Sequence, residues 1–213
     1  ESISDSTQVI IVGDQDQLPS VGPGQILADI LQIDDLPKVS LTKIFRQSED
    51  STIVTLASQM RQGQLPADFT EKKADRSYFE AKANHIPQMV PKIVSAAIKS
   101  GIAAQDVQIL APMYRGQAGI NNLNTIMQDL LNHQEKANQF AFNDIFFRKN
   151  DKILHLVNDT ELNVFNGDIG IITDLIPGKY TESKQDEIYM SFDGNEVIYP
   201  RNEWNKITLA YAM

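Results

Sequence analysis

The sequence contains no cysteine, three histidines and an excess of acidic over basic side chains. Without cysteine there is neither a disulfide nor a thiolate metal site, which fits a reducing, cytoplasmic setting. His85, His133 and His155 lie far apart along the chain, so no histidine-based metal site is expected. No apolar run approaches the roughly 18–20 residues that cross a bilayer. No basic-plus-apolar start reads as a signal peptide, and no membrane partner is expected. The net charge of −9 argues against nucleic-acid binding driven by overall charge. Residues 1–150 carry −3 of it and residues 151–213 carry −6, so any nucleic-acid contact should be local and groove-like. Also missing are a G-x-x-x-x-G-K-[ST] loop, a D-E box and a nucleophile beside a base. The chain by itself is expected to catalyse nothing and to hold no cofactor. It opens on Glu1 and stops at "ITLAYAM", and it is expected to be a piece of a longer chain.

What is present is enough apolar residue, 42% of 213, for a sizeable core in one or two domains. Val9–Val12 is a continuously apolar run, the pattern of a short strand covered on both faces. A short helix is predicted over Gln25–Leu31, further strands over Lys38–Leu41 and Ser77–Ala81, and a helix over Ser51–Gln62 stopped by Gly63. Ile86–Ser100 and Ala118–Leu131 carry the strongest helical spacing, and Asp106–Ala111 reads as the strand between them. This alternation predicts a parallel α/β architecture. After about residue 139 the texture changes to short strands, "KILHLV", "GDIGIIT", "EIYMSF" and "EVIYP", with Asp193-Gly194 as a hairpin turn. A small antiparallel β barrel or sheet is expected there.

Four segments could carry chemistry. In "VGDQDQLPSVGPG", Gly13 permits a tight turn, Asp14 can accept backbone N–H bonds or orient a metal-bound water, and Gln17 both donates and accepts. A polar turn leaving the core is the competing reading. In "LTKIFRQ", Arg46 follows the apolar pair Ile44 and Phe45 and has the planar, permanently charged fork that suits a phosphate. A surface salt bridge competes. In "LAPMYRGQAGINNLN", Arg115 and Asn121 flank a helix start whose backbone amides suit a phosphate. Tyr114 is expected to pack on the strand rather than stack on a base. "NVFNGDIG" places Asn166 and Gly167 in a turn that by itself reads as a plain hairpin.

In this order the four segments resemble the C-terminal motor half of a superfamily 1 DNA helicase of the RecD-like type, the group of the exodeoxyribonuclease V alpha chain. "VGDQDQLPSVGPG" is similar to that family's motif III, "LTKIFRQ" to its motif IV, and "VFNGDIG" to a Gly-rich turn in its inserted SH3-like barrel. "ITLAYAM" is similar to what precedes motif V.

The resemblance implies a fold: an incomplete RecA-like, P-loop NTPase-type α/β domain with an inserted SH3-like β barrel. Residues 1–32 would end the first motor domain, 33–139 and 203–213 would form the second, and 140–202 the barrel. It also implies ATP-dependent 5′-to-3′ movement on single-stranded DNA in repair or recombination. ATP and Mg would be held by the parent protein, and other repair or nuclease subunits would be further partners. Gln17 would sense the γ-phosphate and Arg46 would reach it, with Gly13 and Asp14 beside them. Arg115, Asn121, Asn166 and Gly167 would touch DNA, and Lys152 is a further contact open to the acidic barrel. The alternative is a non-enzymatic α/β plus SH3-like protein-interaction module.

Overall fold

A computed structural model describes residue 4, residues 6–15, residue 17 and residues 24–41, 51–133 and 139–213. It divides into two compact units, Glu1–Glu80 and Ala81–Met213.

The described residues of the first unit form two helices, α1 (Ile26–Leu31) and α2 (Thr52–Arg61). Both arise where the apolar spacing and the stop signals predict them, and Gly63 follows α2 at φ +74°, where a side chain would be strained. The start of α2 is doubly capped. Ser51 Oγ accepts from the Val54 N–H at 3.4 Å, and the Asp75 carboxylate accepts from Ser51 Oγ, from the amides of Thr52 and Ile53, and from the Thr52 hydroxyl. That last bond is the main cause that pulls the Asp75 carboxyl down to about 2.

Because this carboxyl is depressed when folded, its contribution is complete above the unfolded pKa of roughly 4 and is lost as pH falls through about 2. The melting temperature of wild type should therefore exceed that of Asp75→Asn at pH 6, and the gap should close between pH 4 and pH 2. A gap that persists at pH 2 would exclude the carboxylate as its source.

Three expected strands do not form. Val9–Val12, Lys38–Leu41 and Ser77–Ala81 have no ladder partners among the described residues. Ile10, Val12, Val39 and Leu41 are exposed. A parallel strand draws its hydrogen bonds from chain distant in sequence, so an apolar run names a strand without naming its neighbour. None of the described residues of this unit is fully buried.

The second unit contains the core. Helices α3 (Ile86–Lys99) and α4 (Ile120–Leu131) bury Val94, Leu123 and Met127 along their apolar stripes. Seven strands follow: β1 (Gln139–Phe142), β2 (Ile145–Arg148), β3 (Lys152–His155), β4 (Ile169–Ile176), β5 (Glu187–Phe192), β6 (Asn195–Pro200) and β7 (Ile207–Leu209). β1 and β2 make one hairpin, and the rest form an antiparallel sheet in the order β6-β5-β4-β3-β7. Along β5, buried Ile188, Met190 and Phe192 alternate with Tyr189 and Ser191, the period of a strand with one covered face. β5 and β6 are joined by Asp193 (φ +51°) and Gly194 (φ +85°) between the paired Phe192 and Asn195. Two positive φ values in a two-residue loop give a type I′ turn, as the Asp-Gly pair predicts.

The β1–β2 hairpin is fixed to this sheet by Trp204, on the short 3₁₀ turn Arg201–Lys206. Its fully buried ring stacks on Phe140 at 5.5 Å and meets Phe142 and Phe147 edge-on, while Nε1 donates to the Tyr199 carbonyl at 2.9 Å.

The α/β character of this unit lies where the last strand leaves the sheet. β7 pairs with β3 as far as Leu209; then the chain turns to residues 107–111, with Ile109 bridged in parallel to Ala212. The Ile109 amide donates to Tyr211 O at 3.3 Å, the Ala111 amide to Met213 O at 2.9 Å, and the Met213 amide back to Ile109 O at 3.1 Å. Of the expected Asp106–Ala111 strand only this isolated parallel bridge at Ile109 forms, and Asp106 itself ends a 3₁₀ turn, Ala104–Asp106.

Candidate nucleotide and nucleic-acid interface

The polar turn after Val12 is built as its residues suggest. The Gln17 amide donates to the Asp14 carbonyl at 3.3 Å, and Gln17 Nε2 donates to Asp14 Oδ2 at 3.2 Å, so the two side chains form one exposed couple. A Cβ on Gly13 would lie 2.8 Å from Leu27 Cδ2 on α1, so a larger residue there would make that side chain shift. One carboxylate beside one amide that can donate and accept suits a phosphate oxygen or a metal-bound water. Arg46 falls outside the described residues, as does the rest of "LTKIFRQ" after Leu41.

Arg115 and Asn121 lie on one tight turn. The amides of Ile120 and Asn121 donate to the carbonyls of Met113 and Tyr114 at 2.8 and 3.1 Å, folding residues 113–115 back over the start of α4. Gly119 is required at the crossing, because a Cβ on it would stand 2.5 Å from the Arg115 carbonyl oxygen. Arg115 and Asn121 are both exposed. Tyr114 does not pack on the strand as expected; it is 73% exposed on the same turn. Its place after Pro112 and before Gly116, outside any strand, was the signal for that.

Asn166 and Gly167 sit at a second exposed turn. The Gly167 amide (φ +98°) donates to His155 O at 2.9 Å, the Asn166 amide to Asn158 Oδ1 at 2.9 Å, and the Phe165 amide to Asp168 Oδ2 at 2.7 Å. Phe165, absent from the residues singled out in the sequence, is 42% exposed and lines a groove of about 350 Å³ together with Ile169 and Phe192. Asp168 and Asp193 also line it. Two carboxylates disfavour a phosphate there, so a nucleic acid entering the groove would have to present a base or a sugar, with Phe165 offering a stacking face.

Lys152 does not fit a nucleic-acid contact. Its ammonium donates to the carbonyls of Gln105 and Val107, each at 3.1 Å, and burial pulls its pKa down. His155 is also spoken for inside the fold, with Nδ1 against Val157 O at 2.7 Å and Nε2 against Tyr199 Oη at 2.6 Å. Among the described residues no group of His, Asp and Glu is arranged to hold a metal, and no helix is long and apolar enough to cross a membrane.

Two protein-family models match in succession. An AAA domain model covers residues 1–83, and the SH3 domain model of ATP-dependent RecD-like DNA helicases covers residues 123–192. The ATP-dependent RecD2 DNA helicase of Deinococcus radiodurans is 27% identical over 212 residues, which is 100% of this chain and 27% of that protein. The RecBCD enzyme subunit RecD of Mycolicibacterium smegmatis is 26% identical over 185 residues, 81% of this chain and 32% of that protein. The chain therefore spans about a third or less of the curated relatives it matches. Among solved structures, the Pif1 helicase from Bacteroides in complex with ADP-AlF3 and ssDNA aligns with 94% of this chain and 51% of its own, at 20% identity and a TM-score of 0.43. Bacteroides Pif1 bound to ssDNA aligns with 82% of this chain and 41% of its own, at 18% identity and a TM-score of 0.40. Two family models match in order along the chain and relatives align with most or all of it, so the chain is similar over its length to a segment of RecD-like DNA helicases.

Proposed function

We propose that this chain is the part of an ATP-dependent DNA helicase that links the end of its first motor domain to its second, translocating 5′ to 3′ on single-stranded DNA in the cytoplasm during repair or recombination. The observation that carries the reading is the alignment of this whole chain to 27% of a RecD2 helicase, together with the order of the two family matches. Residues 1–32 are assigned to the first motor domain, 33–139 and 203–213 to the second, and 140–202 to the SH3-like module.

ATP with its Mg ion supplies the transferable phosphoryl group and its charge neutralisation when bound to the parent protein. The chain's own residues have narrower tasks. The Asp14–Gln17 couple fits such a ligand by its donor set; Gln17 orients against the terminal phosphate and Arg46 brings a fixed positive charge to it. Arg115 and Asn121 at the start of α4 hold a DNA backbone, with Tyr114 placed to stack on a base, and Asn166 and Gly167 touch the strand at the edge of the carboxylate-lined groove. Lacking a phosphate-gripping loop, the chain alone binds nucleotide incompletely and does not turn over. Other repair or nuclease subunits are further partners of the parent.

Unwinding by the full-length protein tests this. Duplexes with a 5′ single-stranded tail should be opened in the presence of ATP, and those with only a 3′ tail should not. Unwinding confined to 3′ tails would overturn the polarity. Absence of any DNA-stimulated ATP turnover would favour the non-enzymatic module.

A further inference from the structure

Asp151 is fully buried, and among the described residues no lysine or arginine is paired with it. It is nevertheless saturated. Oδ1 accepts from Asn132 Nδ2 at 2.7 Å and from Tyr211 Oη at 2.9 Å; Oδ2 accepts from Gln128 Nε2 at 2.6 Å and from the Arg148 amide at 2.7 Å. The nearby Arg148 guanidinium points elsewhere, to Asp129 at 2.8 Å and Gln139 at 3.1 Å.

The four donors come from three places: the C-terminal end of α4, the end of β2, and the segment Ala210–Met213 that follows β7. Asp151 also stands immediately before β3, and the amide of Ala210 donates to Lys152 O at 2.8 Å. This is the point where the chain changes partner, from β3 on one side to residues 107–111 on the other. Asn124 of α4 grips the same segment, accepting from the Ala212 amide at 2.8 Å and donating to Ala212 O at 2.9 Å.

A buried anion without a cation is a poor way to gain stability, since well-packed apolar residues commonly do as well or better. A carboxylate is, however, the short side chain with acceptor positions for four donors and no N–H of its own to clash with them. Its value here lies in geometry. We infer that Asp151 is a positioning residue that fastens the β module to α4 and to that segment at the chain's change of partner, so that displacement of the module is carried to the parallel pairing at Ile109. The fastening follows from the contacts alone; its consequence, that DNA held by the module is sensed in the motor strands, rests on the helicase reading.

Hydrogen exchange in the full-length protein separates a fastening from a general contribution to stability. In Tyr211→Phe, which removes one donor and keeps the ring, exchange at the amides of Ile109, Ala111 and Met213 should quicken by about tenfold, the scale of one lost buried hydrogen bond. The amides across β5 and β6 should be unchanged. Asp151→Asn should enlarge the same local effect. Unchanged exchange at Ile109 in Tyr211→Phe, or equal acceleration throughout the β sheet, would overturn the proposal, and Tyr211→Phe decides the matter even if Asp151→Asn does not fold. In the full-length protein, Tyr211→Phe should raise the ATP consumed per base pair opened. If the exchange result holds while wild type shows no DNA-stimulated ATP turnover, the fastening stands and the helicase reading falls.

Discussion

Replacing Arg46 by alanine in the full-length protein should lower DNA-stimulated ATP turnover by about 10³-fold or more, with single-stranded DNA still bound at near wild-type affinity. The argument is electrostatic. In phosphoryl transfer negative charge spreads over the oxygens of the transferred group, and a planar guanidinium brought against them can contribute about 10³–10⁵ in rate. Because that contribution belongs to the transition state, the loss should appear in kcat and leave the ATP KM within a few-fold. Lysine keeps the charge but not the two-pronged geometry, so Arg46→Lys should recover only part of the rate. Gln17→Ala should fall between these variants and wild type, because the Asp14 carboxylate that Gln17 bonds remains in place. Turnover within a few-fold of wild type in Arg46→Ala, measured with saturating DNA, would remove Arg46 from the site. Lost DNA affinity at unchanged kcat would move it to the nucleic-acid surface.

Where the sequence could be read, the cause of each element was local. α3 and α4 follow from apolar residues at helical spacing with a glycine stop or start, and the β5–β6 hairpin from strict alternation around Asp193-Gly194. Val9–Val12 failed for the opposite reason, since a parallel strand exists only when chain far away supplies its ladder. The hairpin of β1 and β2 escaped although Asn143, at φ +51°, and Asp144 give it an ordinary turn signal; the aromatic run on either side masked the alternation. The motifs located the exposed turns at Asp14, Arg115 and Asn166. They did not separate Lys152, which spends its charge on two carbonyls, from a lysine open to a ligand. Nor did they single out Asp151, because one acid in a polar "KNDK" stretch looks like any turn until its four donors, from positions 128 to 211, come together.

Trp204→Ala should cost the second unit about 3–5 kcal/mol, the usual range for emptying a buried aromatic site. Against the roughly 5–15 kcal/mol that holds a whole domain, this removes a large share of the stability of the β module. The ring is the common wall of Phe140, Phe142 and Phe147, so its loss frees the β1–β2 hairpin from the five-stranded sheet. It also leaves the Tyr199 carbonyl without the indole donor. Tyr199 holds His155 through its hydroxyl, and the His155 carbonyl holds the Gly167 amide, so the turn carrying Asn166 loses its footing three contacts away. Trp204→Phe separates the two contributions: the ring space is mostly refilled, while the indole N–H bond to the Tyr199 carbonyl is lost, at a cost of about 0.5–1.5 kcal/mol. Urea unfolding followed by circular dichroism should rank wild type above Trp204→Phe and that above Trp204→Ala, since the one tryptophan of the sequence cannot report on its own removal. If Trp204→Phe proves as damaging as Trp204→Ala, the indole hydrogen bond outweighs the packing. If Trp204→Ala unfolds with the wild-type midpoint, Trp204 is not what joins the hairpin to the sheet, and the path from Trp204 to the Asn166 turn has no energetic basis.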